Sequence, residues 1–329
     1  MKHLDSSTYL QALADSRKPF HNGYYAMYSS LLDAVVTDPL LMQLPIDDHL
    51  VHRGDGVFET AKCVNGAIYN FDAHLDRLIR SAAAIGMAWP GGPAEIKALT
   101  RDTVRAGGRR DCSVRVILAR GPGSFGISPY EPPAMALYII IYAASTPFMQ
   151  RHPEGATVRR SLIPPKQPPF AGFKNCNYLP NVLMKREAQD WGVDFTVGFD
   201  AAGHLTEGAT ENAAIITRAG ALRFPRLESI LAGTTMLRLV ELAGVLRAEG
   251  RLTDIAYGDI SEPEIFDAAE MLIVGTSLNV VSVRSYEGRA IGESCPGPLG
   301  VRLGELLDTD ITRNPERRLE MFTNGCRCS

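Results

Sequence analysis

The string Phe170-Ala171-Gly172-Phe173-Lys174-Asn175-Cys176-Asn177-Tyr178 holds a single charged residue, Lys174. A lysine in apolar and neutral surroundings is a candidate for desolvation. A desolvated ammonium gives up its proton more readily, which suits covalent chemistry with a carbonyl carbon. The same residue also reads as a surface lysine that lays its stem on apolar neighbours and keeps its head in water. Gly233-Thr234-Thr235 opens a segment in which Met236, Leu239, Val240, Ala243 and Leu246 recur at helical spacing. Unpaired N–H groups, the positive helix end and two hydroxyls make a cup for phosphate, with ordinary N-capping as the competing reading. Gly275-Thr276-Ser277, after the apolar run 271–274, is a second loop of this kind, and the pair points toward a bound phosphate. Glu207, in Leu205-Thr206-Glu207-Gly208, sits where a strand enters a turn, a place where carboxylates are usually solvated. Arg77 and Arg80 both lie off the apolar stripe of their helix, so periodicity does not choose between them and solvent stays open for each.

Other patterns are set aside on physical grounds. Gly121-Pro122-Gly123-Ser124-Phe125-Gly126 matches the glycine fingerprint of dinucleotide binding. That fingerprint needs a helix behind it, and Ile127-Ser128-Pro129-Tyr130-Glu131-Pro132-Pro133 cannot start one. The seven histidines include no HExxH or HxH arrangement, and Cys326-Arg327-Cys328 lacks a second ligand pair to complete a tetrahedral zinc site, so no metal is expected. The six cysteines are irregularly spaced in a long chain, which reads as reduced thiols in a cytoplasmic protein. With 34 Lys+Arg against 37 Asp+Glu and no basic block, nothing favours a nucleic-acid partner. No apolar run reaches the ~18 residues of a membrane helix, and the first residues carry no signal-peptide core.

The elements that must position these side chains follow from patterning. Short strands are expected within 23–41, and residues 57–64 alternate like a half-buried strand. Asn65-Gly66 is a tight hairpin turn, with 67–69 returning. Asp72 is positioned to cap a helix carrying Leu75, Leu78, Ile79, Ala82 and Ile85 on one face, closed by Gly86. A helix near 93–106 and strands at 114–118 and 136–142 follow. Residues 145–153 lose periodicity and mark a boundary. Beyond it come a strand at 156–163, a Pro-rich stretch 164–169, a helix over 180–189, strands at 194–199, 212–217 and 271–274, and the helix after Gly233. Strands and helices mix without a regular βαβ rhythm, so the fold class is α/β (α+β) in two domains. The expected division is an N-terminal domain 1–147, a linker 148–154 and a C-terminal domain 155–329.

Five strings together resemble the fold-type IV pyridoxal-phosphate enzymes over nearly the whole chain. They are Gly54-Asp55-Gly56-Val57-Phe58-Glu59-Thr60, His74-Leu75-Asp76-Arg77-Leu78, Lys174-Asn175-Cys176-Asn177-Tyr178-Leu179, Thr206-Glu207-Gly208 with Asn212, and Leu231-Ala232-Gly233-Thr234-Thr235. Met27-Tyr28-Ser29-Ser30, the run 48–54 and the run 177–183 resemble plant-type D-amino acid transaminases in particular. The resemblance implies a cofactor, pyridoxal 5′-phosphate, in a cleft between two domains. It implies that Lys174 bonds the cofactor and shuttles a proton, and that Glu207 keeps the pyridine nitrogen protonated. Arg77 rather than Arg80, with Gly233, Thr234, Thr235, Thr276 and Ser277, would hold the phosphate. Leu231 would pack on the ring and Tyr178 would lie at its edge. The implied activity is transfer of an amino group between an amino acid, with D-amino acids leading, and a 2-oxo acid, in a homodimer. Aminodeoxychorismate lyase and branched-chain L-amino acid aminotransferase are the alternatives.

The sequence departs from the family where bacterial D-amino acid aminotransferases carry an arginine and a histidine for the substrate carboxylate. Phe125 and Ile127 stand there instead. A carboxylate needs a fixed, preferably bidentate cation. Arg53, with His52 as helper and Phe58 and Phe125 nearby in the substrate pocket, is therefore the expected partner. A surface ion pair of Arg53 with Asp48 or Asp55 is the bland alternative.

Overall fold

The computed structural model describes residues 1–322, so the Cys326/Cys328 pair lies outside the described residues. The chain folds into two compact units. One comprises Met1–Phe71, Leu78–Ala144 and, of the described residues, 318–322; the other comprises Asp72–Arg77 and Ser145–Arg317.

The first unit contains α1 (Ser6–Asp15), β1 (Tyr24–Ser29), β2 (Ala34–Val36), α2 (His49–Arg53), β3 (Gly56–Val64), β4 (Ala67–Tyr69), the later part of α3 (Phe71–Ala84, of which Asp72–Arg77 count with the second unit), α4 (Gly92–Gly107), β5 (Cys112–Ala119) and β6 (Ala136–Tyr142). The alternation read over 57–64 is that of β3, in which every second side chain is buried. Asn65 and Gly66 both have positive φ, 54° and 81°, and turn β3 into β4 with the geometry a two-residue hairpin requires. The sheet runs β4-β3-β5-β6-β1-β2, all neighbours antiparallel.

Asp72 does not cap α3. The N-cap is Asn70, at φ 52° with no side-chain cap bond, and the helix begins at Phe71. Asp72 lies within the first turn, where a carboxylate still meets the positive helix end. Asparagine tolerates the left-handed backbone needed to leave β4, which is why the start falls two residues earlier than a side-chain cap would place it.

The second unit contains α5 (Phe148–Arg151), β7 (Ala156–Arg160), α6 (Leu179–Asp190), β8 (Phe195–Phe199), β9 (Leu205–Gly208), β10 (Asn212–Ile216), β11 (Ala221–Phe224), α7 (Thr234–Ala248), β12 (Asp254–Tyr257), α8 (Glu262–Asp267), β13 (Glu270–Gly275), β14 (Asn279–Tyr286), β15 (Arg289–Ala290) and α9 (Pro298–Arg313). The strand order is β12-β11-β10-β13-β14-β7-β8-β9, with β15 beside β14. One further pairing, Asn212 opposite Glu207, joins β9 back to β10, so the six strands from β10 round to β9 form a closed ring. Val197, Ala213, Ile215, Ile273 and Val281 are fully buried in the core of this unit, and Phe148 of α5 packs into the same cluster. The last strand, β16 (Arg318–Glu320), pairs antiparallel with β4 and so extends the sheet of the first unit.

Candidate functional site

Lys174 is placed by a short irregular segment rather than by a helix or strand. A single turn over Phe170–Gly172 ends in extended backbone at Phe173, and α6 starts only after Tyr178. Between them the buried Asn175 accepts the Asn177 backbone N–H through Oδ1 at 3.1 Å, an asparagine turn that fixes the local path. The Lys174 Nζ donates to the Tyr178 hydroxyl at 2.8 Å. A second ammonium reaches the same ring: Lys166 Nζ lies 4.7 Å from the Tyr178 centroid and Lys174 Nζ 5.4 Å from it. Burial pulls the Lys166 ammonium below the usual lysine range, opposed by the charge of Glu207 and then by Cys176.

Glu207 sits at the seam of the closed ring. Its Oε2 accepts the Leu231 backbone N–H at 2.9 Å, while Asn212, opposite it, donates Nδ2 to the Leu231 carbonyl at 2.9 Å. One peptide segment is thus held from both sides. Burial pushes the Glu207 carboxyl up to about 7; the Leu231 N–H, then the charges of Lys174, Lys166 and Arg77, pull the other way. A carboxylate so placed has unmet demand for a positively charged hydrogen-bond donor.

The two glycine-hydroxyl loops converge. Helix α7 runs from Thr234 to Ala248, and its N-cap, Gly233, offers no side-chain cap bond, so its first-turn N–H groups are left for another acceptor. The Thr235 and Thr276 hydroxyls are 3.3 Å apart, and the Thr234 hydroxyl is 3.2 Å from His74 Nε2. Arg77 is buried, 6% exposed, and donates Nη1 to the Ala232 carbonyl at 3.0 Å, just before the helix start. Arg80 is exposed. Burial therefore separates two arginines that periodicity left equivalent. Ser277 is exposed, at the outside of the second loop.

The remaining candidates belong to the first unit. Arg53 donates Nε to the Gly126 carbonyl at 3.1 Å, Nη2 to the Phe125 carbonyl, and Nη1 to the His52 carbonyl at 3.2 Å. The His52 ring meets Phe125 edge-on at 5.4 Å. The ion pair of Arg53 with Asp48 or Asp55 does not form. Asp55 is taken by Arg120 through two bonds of 2.9 and 3.0 Å, and Asp48 accepts the Tyr138 hydroxyl at 2.8 Å and the Leu50 N–H at 2.9 Å. Phe58 lies under a different arginine. The Arg115 guanidinium stands 5.4 Å from the Phe58 centroid and 5.5 Å from that of Tyr142, and its Nε donates to Thr60 Oγ1 at 3.3 Å. Its two terminal nitrogens have no acceptor among the described residues.

Sequence reasoning missed Lys166, His74 and Arg115. Lys166 lies in a Pro-rich stretch with no period to give it a direction. His74 stood only inside the string 74–78, without a role of its own. Arg115 was findable: it alternates with the buried Val114 and Val116, and the register sets it opposite Thr60, two residues from Phe58. Among the described residues there is no group of three or more His, Cys, Asp or Glu placed to hold a metal ion, and no helix long and apolar enough to cross a membrane.

The chain matches the family model for class IV aminotransferases over residues 56–286. It is 38% identical over 293 residues to the chloroplastic D-amino-acid transaminase of Arabidopsis thaliana, covering 89% of this chain and 78% of that one. It is 27% identical over 270 residues to the D-alanine aminotransferase of Bacillus licheniformis, covering 81% and 91%. In fold it resembles the branched-chain amino acid aminotransferase of Escherichia coli, with a TM-score of 0.82 at 21% identity over 91% of this chain and all of that one. A hypothetical aminotransferase from Mycobacterium tuberculosis, solved in a PLP-bound form, gives a TM-score of 0.73 at 23% identity, covering 88% and 99%.

Proposed function

The chain belongs to the class IV aminotransferase family, and on that premise we propose that it moves an amino group between a D-amino acid and a 2-oxo acid with pyridoxal 5′-phosphate as cofactor. The D-preference rests on the 38% identity to a D-amino-acid transaminase. The observation that carries the reading is the presence, within one unit, of Lys174 Nζ at the Tyr178 hydroxyl and of a half-buried Glu207 whose pKa desolvation pushes up to about 7 and the charge of Lys174 pulls back.

The residues suit the group. Glu207 has one backbone N–H partner and needs a cationic donor, which a protonated ring nitrogen supplies. The uncapped start of α7, the hydroxyls of Thr235 and Thr276 and the buried Arg77 suit a phosphate dianion, by helix end, hydrogen bond and charge together. Gly233 and Thr234 complete the loop, Leu231 contributes its backbone to Glu207, and Ser277 lies on the outer side.

When bound, the cofactor serves as an electron sink for the carbon that bears the amine. The chain does the rest. Lys174 would supply the amine that bonds the cofactor, and its Nζ would move a proton to and from the substrate α-carbon. Tyr178 fixes the position of Nζ through its hydroxyl. Glu207, ionised by its cationic partner, holds the ring proton in place. Of the two arginines that could meet a carboxylate, the exposed Arg115 keeps two terminal nitrogens without an acceptor among the described residues, whereas the fork of Arg53 is shared among three backbone carbonyls. A cytoplasmic location is the reading that the irregular spacing of six cysteines in a long chain supports. Exposed Leu31, Leu32 and Val35 beside the sheet edge support a homodimer.

The test is direct. Pyridoxal phosphate added to the protein should give a visible absorption band, borohydride should fix the adduct on Lys174, and D-alanine should bleach the band faster than L-alanine. An adduct on another lysine removes the assignment. Faster bleaching by L-alanine replaces the donor class, and pyruvate release from aminodeoxychorismate without an added 2-oxo acid selects the lyase.

A further inference from the structure

Lys166 is the one lysine besides Lys174 whose ammonium lies over the Tyr178 ring among the described residues. It comes from the Pro-rich segment before the Lys174 loop, is partly buried, and has no hydrogen-bond acceptor or carboxylate within salt-bridge reach among the described residues. A lysine free to snorkel would put its head in water; this one lays its head on an aromatic face. The two Nζ atoms, 4.7 and 5.4 Å from one centroid, are at most about 10 Å apart. At that range, in a partly buried setting, like charges still repel measurably.

We propose that Lys166 is a positioning residue for Lys174: it clamps the Tyr178 ring by a cation–π contact, and its positive charge disfavours a proton on the Lys174 nitrogen. The clamp keeps the Tyr178 hydroxyl at Lys174 Nζ. The repulsion favours the neutral amine, the form that attacks a carbonyl and accepts a proton. Other groups enter the same balance. Tyr178 meets the nitrogen directly and Glu207 favours its proton, while Arg77 acts on Glu207 and Cys176 on Lys166. Lys166 offsets Glu207, which would otherwise hold Lys174 protonated. The inference rests on the cofactor reading above.

The experiment is a pH titration of the holoenzyme's visible absorption, whose midpoint reports the proton on the Lys174 nitrogen. Lys166→Met removes the charge and the repulsion, so the midpoint should rise by about half a pH unit to one unit. High salt should shrink the difference between variant and wild type. Lys166→Gln, a second neutral variant, should shift in the same direction, and Lys166→Arg should restore the wild-type midpoint. A role confined to packing would weaken cofactor binding in the neutral variants and leave the midpoint in place; that result overturns the proposal. A wild-type protein that gives no pH-sensitive band overturns the cofactor reading instead, so the two failures are distinguishable.

Discussion

Glu207 and Asn212 face each other across the seam where β9 meets β10, and between them they hold the N–H and the carbonyl of Leu231. This single pairing closes the strand ring, and two residues farther along the chain from Leu231 stands Gly233, the cap of α7. The acid for a ring nitrogen and the helix start for a phosphate are thereby fixed to the same short segment.

Glu207→Gln tests the electrostatic half of that arrangement. With its pKa raised from 4.5 to about 7, the folded protein holds a proton on Glu207 that the unfolded chain has lost. The sign follows: stability from this group is present below pH 4.5 and is lost as pH rises toward 7, by about 3 kcal/mol over the window. Denaturant unfolding of the cofactor-free protein at several pH values should show this slope, and the glutamine variant should lack it. An unchanged slope would mean that Glu207 is solvated. In the holoenzyme a cationic partner keeps Glu207 ionised, so the slope from this group should flatten.

Arg77→Ala and Arg80→Ala should separate cleanly. Arg77 is buried and bonded to Ala232, so its loss should weaken pyridoxal phosphate binding by at least tenfold, the scale of one charge-assisted contact. Arg80 is exposed, and its loss should leave the Kd within twofold. Equilibrium titration of cofactor against each apoprotein measures both.

Gly233→Ala probes the close approach at the helix cap. Its φ of −64° is open to any residue, so backbone strain is not the issue. An added Cβ would come 2.0 Å from Asn212 Oδ1 and must displace it, along with its bond to Leu231. A cost of about 1–3 kcal/mol is expected, with weaker cofactor binding. Gly244→Ala, in the same helix with open space around it, should instead stabilise by up to about 1 kcal/mol. Thermal unfolding of the two variants side by side decides it.

The carboxylate partner is open to a comparison of Arg115→Ala with Arg53→Ala. Arg115 has two terminal nitrogens without an acceptor among the described residues, so its removal should raise KM for amino donors and 2-oxo acids by about 30- to 100-fold, and lysine should not restore the bidentate contact. Arg53→Ala should act less strongly, through loss of its grip on Phe125 and Gly126. Steady-state KM values rank the two, and a larger effect at Arg53 reverses the assignment.

Much of the architecture was readable because it is local. Alternation in 57–64, the continuous apolar run 136–142, helical spacing after Gly233, and the Asn65-Gly66 turn all depend on neighbours within a few residues. Lys174 stood out as a lone charge, and the two glycine-hydroxyl loops as a repeated composition. Helix α9, with Pro at its start and Leu303, Leu307 and Ile311 on one buried face, had the periodicity to be found; β16 is three residues long and had none.

The sequence by itself determined which groups are available: one amine in an apolar loop, one carboxylate at a strand end, two phosphate-suited loops, and paired candidate arginines. Only the tertiary structure decided that Arg77 and not Arg80 is buried, that Asn212 braces Glu207 through Leu231, and that Lys166 shares the Tyr178 ring with Lys174. The reason is one of range. Periodicity tells a side chain which face of its own element it occupies, whereas burial, charge coupling and hydrogen-bond partners depend on segments tens to hundreds of residues away, whose meeting is fixed by strand order alone.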